Sequence, residues 1–428
     1  MKDINEYPST QEIYVWNILG NIANALLSVV ALMLVARFLD NRQADIFSIS
    51  WSISQLMATV GTFQIRMYQA TDITGVFRFR QYLVYRFITI AVMILSSGIY
   101  ILVRGYLGEK ALVVLLMCVF RAIDSLADVY EGWFQQKERY DLAGKALANR
   151  VLLSTFCFGI SLYFTRNLTF ACIVLSISYF ACFWYYNVRY YKRVDVFQEP
   201  KKDYSSGFYW IVKMTIEGFP LFINAFLMMS IMNAPKMVLD VYIEQGQLQQ
   251  GVQTIFNIIF MPASFLNLAY LIFRPLITKM AVVWNAGHTK EFIKIILKIF
   301  IGLIMLGIAL MLGSTVIGIP ALSLLYAIDL TNYKKELLVI ILGGCFYTFA
   351  AVLDNALIVI RCQYILILAY LVTYIYIKFA AEFLICAEGV LGAALSYSSA
   401  MIVFLIITVV LFCVSFYNIK KKNKEEET

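Results

Sequence analysis

Residues 110–136 read KALVVLLMCVFRAIDSLADVYEGWFQQ. Ala111 to Phe120 carries no charge, the composition of a helix in hydrocarbon. Arg121, Asp124, Asp128, Glu131 and Gln135 then follow at offsets of 0, 3, 7, 10 and 14. At about 100° per residue the five fall within roughly 80° of one another. They form one polar stripe on an apolar cylinder, with Leu115, Leu116, Val119 and Trp133 pointing elsewhere. Such a stripe faces either an aqueous passage or the polar side chains of neighbouring helices, where Arg121 and Asp124 can pair at i,i+3.

The rest of the chain fixes its solvent. Of 428 residues, 61% are hydrophobic and 14% charged, and the mean hydropathy is +0.76. Soluble domains run near 25% charged and 45–50% apolar, so this composition cannot cover a globular surface. A membrane span needs about 20 mainly apolar residues. Runs of that kind predict an all-α polytopic membrane protein with spans near 12–37, 43–69, 80–104, 110–136, 143–165, 168–192, 206–233, 248–280, 291–314, 335–361, 363–385 and 389–417. Residues Gly318 to Tyr326 read as a short extra piece after the ninth span. The segment Met1 to Gln11 is polar and the first apolar run lacks a signal-peptide pattern, so insertion is expected through the first span itself.

Lys and Arg bias orients the chain. With the N-terminus in the cytoplasm, 25 of the 35 basic residues fall on the cytoplasmic side, Arg86 and Arg150 among them. Nine fall outside, including Arg37, Arg166 and Lys236, and Arg121 lies within a span. Both termini are then cytoplasmic, which requires an even number of spans. The net charge of +8 fits basic loops beside anionic lipid and requires no nucleic-acid partner. The eight cysteines lack paired ligand spacing and read as small buried hydrophobes.

The longest polar stretch runs from Lys192 to Ser206 and divides the chain into two six-span lobes. Residues 1–192 form the first, 193–206 a cytoplasmic linker, 207–417 the second, and 418–428 a charged cytoplasmic tail. Weak internal similarity accompanies the division: Phe38-Leu39-Asp40 with Val238-Leu239-Asp240, and Asp128 to Gln135 with Asp354 to Arg361. Parallel repeats of this kind are a known transporter arrangement.

Ionisable groups within spans are functional candidates because a charge at the bilayer centre costs about 2.5–3.5 kcal/mol. Beyond the stripe, Arg66 in the second span offers a guanidinium fork suited to phosphate, or snorkels to the interface. Lys213 and Glu217 form an i,i+4 pair ahead of Gly218-Phe219-Pro220, where Pro220 predicts a kink and a hinge. Asn17, Asn21 and Asn24 give the first span an uncharged polar face, and Asp354 with Asn355 does the same in the tenth. These groups line a cavity or hold helices together. Enzymatic constellations are thin: His288 is the sole histidine, and no cluster has metal spacing. No nucleotide-binding loop is present.

Several segments together resemble the polysaccharide-repeat-unit (Wzx-type) flippases of the multidrug/oligosaccharidyl-lipid/polysaccharide exporter superfamily. They are Arg37-Phe38-Leu39; Arg66-Met67-Tyr68-Gln69-Ala70-Thr71-Asp72; Asp128-Val129-Tyr130-Glu131-Gly132; Gln135 through Lys145; Asn233-Ala234-Pro235-Lys236; Phe260-Met261-Pro262; and Phe273-Arg274-Pro275-Leu276. Gly389 and Gly392 match more loosely. The resemblance implies two six-helix lobes around a central cavity that opens alternately to each side. It implies as cargo an undecaprenyl-diphosphate-linked oligosaccharide, moved from the cytoplasmic to the outer leaflet of a bacterial plasma membrane for capsular or cell-surface polysaccharide. A polysaccharide polymerase and chain-length machinery would be pathway partners. Related cavities are cationic, a role open here to Arg66, Arg121 and Lys213, whereas Asp124, Asp128 and Glu131 suit a coupling H⁺ or Na⁺. Competing readings are a cation-coupled multidrug antiporter of the same fold, and a membrane-embedded polysaccharide polymerase or acyltransferase. The second of these requires a large outer loop or a catalytic His/Arg pair, and the sequence offers neither.

Overall fold

The computed structural model describes residues 7–72, 76–193, 208–270 and 273–426, and these are all helix and short connection. The helices are α1 (Thr10–Phe38), α2 (Asn41–Thr62), α3 (Ile65–Thr71), α4 (Phe79–Arg104), α5 (Gly108–Gln136), α6 (Tyr140–Thr165) and α7 (Leu168–Arg193). After the linker, most of which lies outside the described residues, come α8 (Tyr209–Glu244), α9 (Val252–Tyr270), α10 (Arg274–Asn285), α11 (Thr289–Tyr326), α12 (Lys334–Val359), α13 (Leu366–Glu388) and α14 (Val390–Glu426). They correspond to the twelve expected spans, the second and eighth being represented by two helices each. Among the described residues nine helices are long and apolar enough to cross a membrane.

The surface follows from a hydrocarbon solvent. On α4, Leu95, Ile99, Leu102 and Val103 are 61–81% exposed while Tyr82, Arg86, Met93 and Ser97 are buried. A soluble helix would do the reverse.

By packing, the chain divides into two compact units, Met1–Phe226 and Leu227–Thr428. In the first, α5 is central and touches α2, α3, α4, α6 and α7, while α1 lies along α6. The α1–α6 crossing is a backbone contact. A Cβ on Gly144 would stand 2.3 Å from the Trp16 carbonyl oxygen, and one on Gly20 would stand 3.0 Å from that of Gly144. In the second unit α12 packs on α9, α11 and α14, and α13 on α14. The α13–α14 turn depends on Gly389 at φ 56° and on Gly392, whose Cβ would overlap the Leu384 carbonyl.

Three features depart from the sequence expectations. The second span breaks at Phe63 and Gln64, which take left-handed φ values of 45° and 53° although neither is a glycine. α8 continues to Glu244, 11 residues past its expected end at 233, and is helical throughout Gly218 and Pro220. The piece from Gly318 to Tyr326 is the continuation of α11 through one wider π turn, Ser314–Gly318. The boundary between units falls inside α8 because its first half packs at the α2–α3 break. Phe222 stacks on Phe63 at 4.5 Å, a Cβ on Gly218 would meet Phe63 at 3.1 Å, and the Tyr85 and Thr215 hydroxyls lie 3.1 Å apart.

Candidate functional site

The break after α2 re-aims α3 across α5, and Gly132 makes the approach possible. A Cβ there would sit 2.6 Å from Gln69 Oε1 and 3.2 Å from Arg66 Cγ. Gln69 donates to the Val129 carbonyl at 3.1 Å. Arg66 lies along the stripe, with Nη1 2.8 Å from Asp128 and 3.1 Å from Glu131 and Nε 3.3 Å from Gln135 Oε1.

Two further arginines enter from the other sides. Arg86 of α4 reaches Asp128 at 3.0 Å and donates to the Gly61 carbonyl at 2.6 Å, one of the carbonyls that the end of α2 leaves without a helical partner. Arg150 of α6 pairs with Glu131 at 2.9 Å and Asp124 at 3.2 Å. It also donates to Asn187 at 3.0 Å, which the π turn Phe183–Val188 of α7 carries. Tyr179 donates to Asp124 at 2.6 Å. Arg121 completes the set, 3.5 Å from Asp124 and 4.7 Å over the Trp51 ring.

The result is a cluster of four guanidiniums and three carboxylates in which every carboxylate meets two guanidiniums. The inner members are enclosed: Arg86, Arg150 and Glu131 side chains keep 0, 1 and 2% of their accessible surface. The outer edge is open, with Arg66 and Asp124 at 28%, Asp128 at 18% and Arg121 at 12%. Enclosed ion pairs are stable only when geometry is good and the remaining polar atoms are satisfied. Double pairing supplies the counter-charges and leaves a surplus of one positive charge, while the Nε groups of Arg86, Arg121 and Arg150 make no hydrogen bond among the described residues.

The other sequence candidates stand apart from this cluster. Asn21 donates to the Asn17 side chain at 2.8 Å, and Asn21 and Asn24 are exposed on α1. Lys213 and Glu217 form no ion pair among the described residues: Lys213 lies 5.8 Å over Phe77, and Glu217 Oε2 is buried without a hydrogen-bond partner there. Gly218 and Pro220 sit beside the α2–α3 break. Asp354 accepts from Tyr370 at 3.1 Å and Asn355 donates to the Ala351 carbonyl at 2.8 Å, both within the second unit.

Arg86 and Arg150, expected in cytoplasmic loops, are enclosed members of the cluster. Each lies well inside its span, Arg86 seven residues after Phe79 and Arg150 ten after Tyr140, and that depth was the signal that loop counting passes over. Lys236, expected outside, is 9% exposed within α8, and Asp240, expected after that helix, is 4% exposed.

No protein-family model and no curated protein sequence matches the chain. Solved structures do. An inward-facing multidrug resistance MATE family transporter of the MOP superfamily is similar at 14% identity and a TM-score of 0.70, covering 94% of this chain and 96% of the other. The lipid II flippase MurJ, in an inward closed conformation, is similar at 13% identity and a TM-score of 0.67, covering 92% and 87%. A MOP superfamily transporter from Pyrococcus furiosus, described by the reversed polarity of its binding pocket, gives 12% and 0.55 over 96% and 95%. The chain therefore shares the fold of these proteins.

Proposed function

We propose that this protein is a MOP-superfamily transporter that works by alternating access, and that its cargo is an undecaprenyl-diphosphate-linked oligosaccharide moved from the cytoplasmic to the outer leaflet of a bacterial plasma membrane. In this reading both termini are cytoplasmic and the cargo serves cell-surface polysaccharide assembly. The fold supports the transport part. One observation supports an anionic cargo: each carboxylate of the α5 stripe is doubly paired, and the more open guanidiniums, Arg66 and Arg121, are the ones that can be spared.

When a diphosphate draws Arg66 away, Asp128 keeps Arg86 and Glu131 keeps Arg150. When it draws Arg121 away, Asp124 keeps Arg150. Cargo binding then exchanges one charge-assisted pair for another and strands no buried carboxylate. A cationic drug would instead meet acids already neutralised, beside surplus positive charge. A diphosphate-sugar headgroup entering hydrocarbon unaided would lose the hydration of its charges and hydroxyls, and the open edge supplies replacements.

The antiporter reading draws on the MATE structures, and one experiment separates the two. Purified protein in proteoliposomes should expose undecaprenyl-diphosphate-linked saccharide to an external glycosidase, and Arg66→Gln should slow that at least about tenfold, the loss of one charge-assisted contact. Export of a cationic dye with no saccharide movement would overturn the proposal.

A further inference from the structure

Away from the charged cluster, α1 and α6 touch at Gly20 and Gly144 and enclose, further along, an apolar groove of about 490 Å³. Its walls run from Ala23 to Phe38 on α1 and from Val151 to Phe164 on α6, and no charged side chain lines it. Leu152, Phe156 and Phe164, 55, 66 and 76% exposed, leave the groove open sideways. Leu26 to Phe38 spans about 18 Å at 1.5 Å per residue, close to the depth of one hydrocarbon leaflet.

The groove ends at a cation. Arg166 caps α6 with φ 49°, and its guanidinium carbon lies over the Phe38 ring, 4.9 Å from the centroid. Its Nη1 donates to the Phe38 carbonyl at 2.9 Å. Phe38 also meets Tyr163 edge-on at 5.8 Å, so the cation and the last groove residues form one packed unit. Arg166 is exposed and has no carboxylate partner among the described residues. The nearest acid in sequence to Phe38, Asp40, already accepts the Gln43 backbone N–H at 2.8 Å. An arginine fixed by ring and carbonyl, with further N–H groups outward, is preorganised for phosphate oxygens.

We infer that the α1–α6 groove is a binding site for an anionic phospholipid of the bilayer, one acyl chain lying between the helices and the phosphate on Arg166. The chain's apolar length matches the groove, the phosphate matches the cation at its end, and the side opening admits the ligand from the membrane. The site is separate from the cargo-binding residues and does not depend on which cargo is carried.

Native mass spectrometry of the full chain from nanodiscs containing equal phosphatidylglycerol and phosphatidylcholine tests this. The unaltered protein should retain one phosphatidylglycerol in preference to phosphatidylcholine. Arg166→Gln should reduce that preference about fivefold, the effect of one basic residue on an anionic lipid. Gly159→Leu, which directs a side chain toward Leu34 in the groove, should lower retention of both lipids. Unfolding temperatures within a few degrees of the parent establish that the variants are folded. Equal retention of phosphatidylglycerol by parent and both variants would overturn the inference, as would retention of neither lipid by the parent.

Discussion

Arg150 in the first unit and Lys236 in the second are both cations enclosed in membrane helices, 1 and 9% exposed, and their surroundings differ. Arg150 touches two carboxylates, an amide and the Tyr179 ring. Lys236 has one described contact of this kind, Nζ standing 4.6 Å over the Phe260 ring. The pattern extends to their neighbours. In the first unit carboxylates and guanidiniums alternate around α5. In the second, Gln253 is wholly buried with neither side-chain amide atom bonded among the described residues, and Asp354 has a single hydroxyl donor. Matched charge surrounds α5 in the first unit, whereas Lys236, Gln253 and Asp354 of the second have at most one such contact each among the described residues.

The comparison breaks most easily at Arg150. Arg150→Leu removes one of the two cations from each of Glu131 and Asp124, two charge-assisted contacts in an enclosed site, and should lower stability by about 3–5 kcal/mol, read as an early unfolding transition of detergent-purified protein. Arg86→Leu should act similarly through Asp128. If either variant unfolds like the parent, the cluster is not what holds the first unit together.

Gly132→Val should come next. Its side chain would displace Gln69 and Arg66, an overpacking change of about 1–3 kcal/mol. Because α3 then lifts from α5, a cysteine placed at Met67 should also become more reactive to a water-soluble maleimide. The smallest effect belongs to the second unit. Lys236→Met removes a cation that has no counter-ion among the described residues and keeps the apolar stem, so stability should be unchanged or higher by about 1 kcal/mol. A loss of several kcal/mol there would make the two units alike.

Much of this fold was legible because hydrocarbon sets the length of each element and the sign of its surface. Apolar run length located a helix or a pair of helices for each of the twelve expected spans, nine of them long and apolar enough to cross a membrane among the described residues. The stripe on α5 was legible from spacing, and its Arg121–Asp124 pair from the i,i+3 rule. Its partners were not. Arg86 and Arg150 come from other helices, and counting basic residues by loop treats an arginine two turns inside a span as if it faced water. The α2–α3 break was hidden for a different reason: Phe63 and Gln64 have no intrinsic preference for left-handed backbone, so tertiary packing against Gly218 and Phe222 decides it. The end of α8 was misplaced because Asn233, Pro235, Lys236 and Asp240 look like a loop, although Pro235 stays helical and the polar residues are buried.

The backbone contact between α1 and α6 bears on how the first unit can move. Two rods pressed together where neither has a side chain cannot slide past each other, since any axial shift brings a Cβ against the Trp16 carbonyl. They can scissor about that point. Swivelling at Gly20 and Gly144 is thus the motion open to α1, and a larger residue at position 144 would act as a wedge in the pivot.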